Sequence, residues 1–254
     1  MKNFIFIIGV EGSGTTMFCR ILGRMTDTEV ILGNYKTLEK KSTKYLRLIQ
    51  KIEDESALLW SREASLSDFN ISKHDFLNSV QELANGTECQ QTKNLILKRS
   101  APFYKDNTHK PDILDVLTLF KDAKVLVLIR DPKASTYSAL RRNFVSDIRK
   151  SSIICDEHLT NLSAQLRAYH SKRVIILDYS DFCAAPCYFA DNIAAHLDIN
   201  NLELRKAIED ESISPDKNHQ WKKKLSNAEK SYLNSYFSEH RNGKYSFLFE
   251  NKLT

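Results

Sequence analysis

The sequence predicts an α/β fold, a three-layer sandwich in which a parallel central sheet carries helices on both faces. Three observations predict it. Short runs built around Val, Ile, Leu and Phe recur at 4–8, 94–98, 124–129 and 174–179, too apolar throughout for a sheet with one wet face. Segments with apolar residues at helical spacing separate these runs, the alternation of parallel strands and crossover helices. The first run ends in a turn with Gly9, Gly12 and Gly14 that leads straight into a helical segment.

Taken in order, a buried strand at 4–8 is followed by the glycine turn and a helix over 17–25. A short second strand is expected at 29–32. A polar stretch from Asn34 follows, and helical spacing over 44–63 and again over 72–84, where Ser72 is a plausible N-cap and Asn85-Gly86 a stop. This helical insert, about 34–91, is either plain packing or the wall of a substrate pocket. The strand 94–98 ends in Lys98, an amphipathic helix covers 112–120, and the strand 124–129 runs into Arg130. Asp131-Pro132 then opens a helix, with proline suited to the first turn. A strand at 174–179, a helix over 184–197, and a basic tail with Trp221 and a helix over 228–237 complete the chain. No linker or repeat divides it, so one domain over 1–254 is expected.

Composition narrows the class. With 254 residues, 42% hydrophobic and 27% charged, the chain reads as an ordinary globular protein, and its net charge of +5 suits an anionic ligand without calling for nucleic acid. Cys19, Cys89, Cys155, Cys183 and Cys187 have no metal-ligand spacing and read as free thiols in a reducing compartment. The short apolar start ends in glycines and serves as a strand, so a cytoplasmic protein with no membrane segment is expected.

The chemistry begins at the turn. Strand, glycine-rich loop and helix N-terminus form a cradle for an anion, because unbonded N–H groups of the first helical turn point at it. The spacing Gly9-x-x-x-x-Gly14 is that of a P-loop-type nucleotide site, yet Thr15 stands where a triphosphate loop carries lysine. The anion cradle of Gly12, Ser13, Gly14, Thr15 and Thr16 therefore remains, and the triphosphate clamp does not. A bland alternative is a helix entry with small residues for close packing. Arg130, a planar and permanently charged fork just past a buried strand, needs an anionic partner, either a bound phosphate or a carboxylate such as Asp131.

Together these segments resemble the sulfotransferases that use 3′-phosphoadenylyl sulfate. Ser13-Gly14-Thr15-Thr16 is similar to that family's loop around the 5′-phosphate and sulfuryl group. The run 127–138, with Arg130 and Ser138 eight residues apart, is similar to its 3′-phosphate element. Lys98 with Pro102 resembles the family's lysine-bearing strand end, the run 177–182 its late strand and turn, and Trp221-Lys222 its nucleotide-covering segment. The resemblance implies a P-loop-type fold and an enzyme that moves a sulfuryl group from 3′-phosphoadenylyl sulfate to a hydroxyl or amine of a small molecule or carbohydrate. The product is adenosine 3′,5′-bisphosphate, and no metal is needed. It further implies donor contacts from the turn, Arg130, Ser138, Trp221 and Lys222, with charge stabilisation by Lys98.

Two positions depart from the pattern. Gly12 stands where the family has Lys or Arg, and Ser100 where many members have a histidine base. Glu11, Glu39, Glu63, His74 and His109 are the candidate bases, with Glu11 next to the turn. An ATP-dependent kinase with Asp131 on magnesium, or a nucleotide-binding protein without activity, are the rival readings.

Overall fold

A computed structural model describes residues 2–32, 42–59, 66–101, 113–169, 171–241 and 244–254. Its centre is a five-stranded sheet in the order β2-β3-β1-β4-β5, with every neighbouring pair parallel. The strands are β1 (Asn3–Val10), β2 (Thr28–Leu32), β3 (Asn94–Ala101), β4 (Lys124–Ile129) and β5 (Val174–Asp178). The glycine-turn strand β1 is therefore central, flanked by the strands that carry Lys98 and lead to Arg130.

Strand parity divides the core in two. Phe6, Ile8, Leu95, Leu97, Val125, Val127 and Ile129 face one cluster, while Ile5, Ile7, Ile96, Leu126 and Leu128 face the other. Helices α1 (Thr15–Leu22), α7 (Tyr179–Ala184), α8 (Pro186–Leu197) and α9 (Asn201–Glu209) cover the second face. Helices α2 (Thr43–Leu59), α3 (Leu66–Asn85), α4 (Ile113–Leu119), α5 (Pro132–Arg141), α6 (Ile148–Ala168), α10 (Gln220–Lys224), α11 (Asn227–Arg241) and α12 (Ser246–Glu250) lie on the first. The architecture is the expected P-loop-like α/β sandwich. No helix among the described residues is long and apolar enough to cross a membrane.

Several elements differ from the sequence reading. β3 does not stop at Lys98 but runs on to Ala101, because its backbone pairs β1 through Val10↔Ala101. α3 starts at Leu66, so Ser72 lies inside it rather than capping it. Tyr179 is the first residue of α7 rather than the last of β5, with the Asp178 carboxylate capping the turn by accepting from Ser180 N at 2.8 Å. The sequence reading passed over α6 and α9 altogether. α6 buries Ser151, Ser152, Asp156, His158 and Ser163 beside its Ile, Cys and Leu residues, which blurs its apolar stripe.

The inserted helices are core elements. Tyr45, Ile49 and Ile52 of α2 and Phe76, Val80 and Leu83 of α3 pack on the first sheet face, and Arg99 of β3 pairs with Glu53 of α2 at 3.5 Å. The insert is thereby tied to the sheet along most of its described length.

Candidate active site

At the carboxyl end of β1 the chain reverses through Glu11, Gly12, Ser13 and Gly14 before entering α1. Gly12 and Gly14 hold φ of 88° and 98°, the left-handed region in which a side chain is strained. At Gly14 a Cβ would also lie 2.2 Å from Cδ2 of Tyr179, so the aromatic ring packs against bare backbone. Ser13 N–H donates to Val10 O at 3.0 Å, which closes the turn. The ladder of α1 begins with Phe18 N–H to Gly14 O at 3.0 Å, so the amides of residues 15–17 have no acceptor within the helix. The Ser13 amide is thus spent on closing the turn, and the first turn of α1 follows it.

Three elements converge on this cradle. Lys98 lies on the same side of β3 as Ile96, facing α1, and its Nζ donates to Thr16 Oγ1 at 3.2 Å. Burial lowers its pKa, with Cys19, Glu11 and Glu53 pulling the other way. Parity sends the neighbouring Arg99 to the opposite face and Glu53, so only one of the two cations reaches the turn.

Arg130 follows β4 and is 7% exposed. Its Nη1 donates to Gly12 O at 2.8 Å, its Nη2 to Lys217 O at 2.6 Å and its Nε to Asn218 Oδ1 at 2.8 Å. The guanidinium also lies over the Tyr179 ring, 4.8 Å from its centroid. Burial lowers its pKa from the usual arginine value, and Arg142 adds a smaller push in that direction. Ser138 is buried on α5 beside Gly12, where an added Cβ would stand 3.2 Å from the serine Cβ.

These groups surround a cavity of about 350 Å³. Among the described residues, its cations are Arg20, Lys98, Arg130, Arg141, Arg142 and Lys217, and Glu11 is its single carboxylate. Such a cavity, one face made of helix N-terminal amides and the rest cationic, attracts an extended anion. Met17 and the Tyr179 ring give part of it an apolar lining. Burial raises the Tyr179 phenol to about 12, so it stays protonated near neutrality.

The structure brings Gly12, Gly14, Thr15, Thr16, Lys98, Arg130, Ser138 and Glu11 to the cavity lining. Ser13 is buried behind the turn. Trp221, expected over a nucleotide, is instead 3% exposed in the first core cluster, with Lys133 and Lys222 over its ring at 5.1 and 5.7 Å. Neither Trp221 nor Lys222 lines the cavity; Lys217 and Gln220 do, from the same segment. Among the candidate bases, His74 is exposed on α3 and bonded to Asn78 at 3.0 Å, away from the cavity. Glu39, Glu63, His109 and Pro102 lie outside the described residues, and no described residue of α2 or α3 lines the cavity.

The charged and aromatic lining residues that sequence reasoning missed are Arg20, Tyr137, Arg141, Arg142, Tyr179 and Lys217. Arg141 and Arg142 were legible as neighbours of Ser138 on one helical face. Lys217 was not, because it arrives from a distant tail.

The comparisons agree with this architecture. The crystal structure of a sulfotransferase from Alicyclobacillus acidocaldarius matches with a TM-score of 0.58 and 14% identity, covering 100% of this chain and 97% of that one. The sulfotransferase domain of the Synechococcus PCC 7002 olefin synthase matches with a TM-score of 0.54 and 15% identity, over 93% and 94%. Mouse sulfotransferase SULT7A1 complexed with PAP matches with a TM-score of 0.53 and 13% identity, over 98% and 88%. At such identities these matches speak to the fold. No curated protein sequence is a significant match. The profile described as "Sulfotransferase family" matches residues 4–203, which include the glycine turn, Lys98, Arg130 and Ser138, and on that match the chain belongs to the sulfotransferase family.

Proposed function

We propose that the protein transfers a sulfuryl group from 3′-phosphoadenylyl sulfate to a hydroxyl or amine of a small-molecule or carbohydrate acceptor. The observation that carries the proposal is the meeting of the glycine turn, Lys98 and the Arg130/Ser138 pair around one cationic cavity. An adenosine with anionic groups at both its 5′ and 3′ positions needs two anion sites in one cleft, and a cavity that gathers the glycine turn with Lys98 and Arg130 with Ser138 supports that reading. The PAP complex of the mouse relative is consistent with such a ligand.

In this reading the amides after Ser13 hold the 5′-phosphosulfate, and Arg130 with Ser138 takes the 3′-phosphate. The acceptor oxygen or nitrogen attacks sulfur while the bond from sulfur to the 5′-phosphate oxygen breaks. Negative charge then grows on that phosphate, beside Lys98 and the turn. Lys98, bonded to Thr16 Oγ1 at 3.2 Å, takes over the task of the lysine or arginine that Gly12 replaces. Glu11, the carboxylate of the lining, is the base that accepts the acceptor's proton.

Two measurements test the proposal. Thermal shift should show stabilisation by adenosine 3′,5′-bisphosphate and none specific to Mg-ATP. Label should pass from ³⁵S-labelled 3′-phosphoadenylyl sulfate to members of a hydroxyl and amine panel. Stabilisation by Mg-ATP alone supports a kinase, and bisphosphate binding without transfer to any acceptor supports a binding protein.

A further inference from the structure

Arg130 is a less generous phosphate ligand than its position suggests. A guanidinium has five N–H groups. Arg130 commits three of them inside the protein, to Gly12 O, Lys217 O and Asn218 Oδ1. The Nε–Nη2 edge, which makes the usual side-on fork, is wholly engaged by the tail. One hydrogen on each terminal nitrogen remains. A phosphate monoester carries close to two negative charges and three acceptor oxygens, so Arg130 and one serine leave it underserved.

The same row of α5 provides the missing donor. Ser138 and Arg142 are four residues apart and share a helical face, and both side chains line the cavity. Arg142 is exposed, has no acidic partner among the described residues, and lies with its guanidinium carbon 5.9 Å from the Phe144 ring centroid. Its charge reaches Arg130 strongly enough to add to the lowering that burial imposes there. The end of α5 tolerates a cation without a ligand, because the helix C-terminus carries partial negative charge. Two guanidinium groups lining one cavity nonetheless repel each other until an anion separates them.

We propose that Arg142 is the second half of the 3′-phosphate clamp, closing on that phosphate from across Ser138 and making the protein select 3′-phosphorylated nucleotides. The inference rests on the donor reading of the previous subsection and assigns to it a residue that the motif Arg130/Ser138 does not contain. Arg130 anchors the turn and the tail and offers two N–H groups; Arg142 supplies a second, exposed charge. The 5′ end of the nucleotide lies at the glycine turn and owes nothing to Arg142.

The test compares two ligands in calorimetric titrations of the full chain, adenosine 3′,5′-bisphosphate and adenosine 5′-phosphate. The wild type is expected to prefer the bisphosphate. Arg142→Gln should weaken the bisphosphate about tenfold, the low end for a hydrogen bond to a charged group because the site is open to solvent. The same variant should leave adenosine 5′-phosphate within about twofold, which also reports that it folds. Arg142→Lys keeps the charge without the fork and should fall between the two. Equal weakening of both ligands, or unchanged bisphosphate affinity, overturns the proposal. If the wild type itself shows no preference for the bisphosphate, the donor reading falls, and this inference with it.

Discussion

The Nη1 group of Arg130 donates to the carbonyl oxygen of Gly12 at 2.8 Å, joining residues 118 apart in the chain. This bond turns the Gly12 peptide so that its carbonyl points at the cation. The left-handed backbone at Gly12 and Gly14 is what lets the chain accept that orientation. The tail is fastened to the same guanidinium through Lys217 O and Asn218 Oδ1. Arg130 is therefore a structural joint between turn, strand end and tail as well as a cavity lining.

Replacing Arg130 by Gln should cost stability and binding together. It removes three hydrogen bonds from a charged donor and leaves carbonyl groups of Gly12 and Lys217 short of partners. A loss of about 2–4 kcal/mol is expected in urea denaturation, with loss of bisphosphate binding. Arg130→Lys should recover little of either, because an ammonium cannot span three acceptors set around a planar fork.

Gly14→Ala combines an unfavourable φ of 98° with a Cβ 2.2 Å from the Tyr179 ring. The strained backbone alone costs on the order of 1–3 kcal/mol. A fall in Tm of about 5 °C or more is expected by calorimetry. The ring should also leave the cavity wall, visible as a change in tyrosine fluorescence or in bisphosphate affinity.

Lys98→Met should lower kcat for sulfuryl transfer by about a hundredfold or more, the scale of a lost charge-stabilising donor, while the fold survives. The pH profile gives a separate check. Burial favours the neutral amine and lowers the Lys98 pKa, so the charge is present at low pH and is lost as pH rises through that lowered value. The alkaline limb of kcat/KM is expected below the ordinary lysine value of about 10.4. In Lys98→Arg the limb should disappear from the accessible range, even if the rate is reduced.

Glu211 should govern stability on the acid side. Its nearly buried carboxylate accepts from Arg20 at 2.6 and 3.2 Å and from Arg24 at 3.1 Å, tying α1 to the end of α9. Burial raises its pKa, but the two arginines outweigh burial and the net shift is downward. A lowered folded pKa contributes stability above the unfolded value of about 4.3, and that contribution is lost as pH falls through the folded pKa. Glu211→Gln should therefore cost about 1 kcal/mol at pH 7 and progressively less as pH falls through the lowered folded pKa, measured by denaturant titration at neutral and acid pH.

Much of the layout was readable from local chemistry. The apolar runs of β1, β4 and β5 are strands because a sheet buried on both faces demands such residues. The glycine turn was readable because only glycine supplies the backbone that Gly12 and Gly14 adopt. That Arg130 would find a partner was readable because a cation past a buried strand needs one, although the partners are two carbonyls and an amide rather than an anion. Its pairing with Ser138 came from the family resemblance. α6 was harder to read because it buries serines and an aspartate, so the periodicity that marks a helix was diluted. Trp221 looked like a nucleotide cover in sequence and is a core residue, since an aromatic ring satisfies either role and only packing chooses between them.

By itself, the sequence determined which segments are strands, where the glycine turn leads into a helix, and that a cation follows β4, because each depends on residues adjacent in the chain. The tertiary structure decided the rest. Strand order put β1 between β3 and β4, so Lys98 and Arg130 meet at one turn. Parity sent Lys98 rather than Arg99 to that turn, and the returning tail added Lys217. Those outcomes depend on which surfaces bury each other, a property of the whole packed chain that no local run of residues contains.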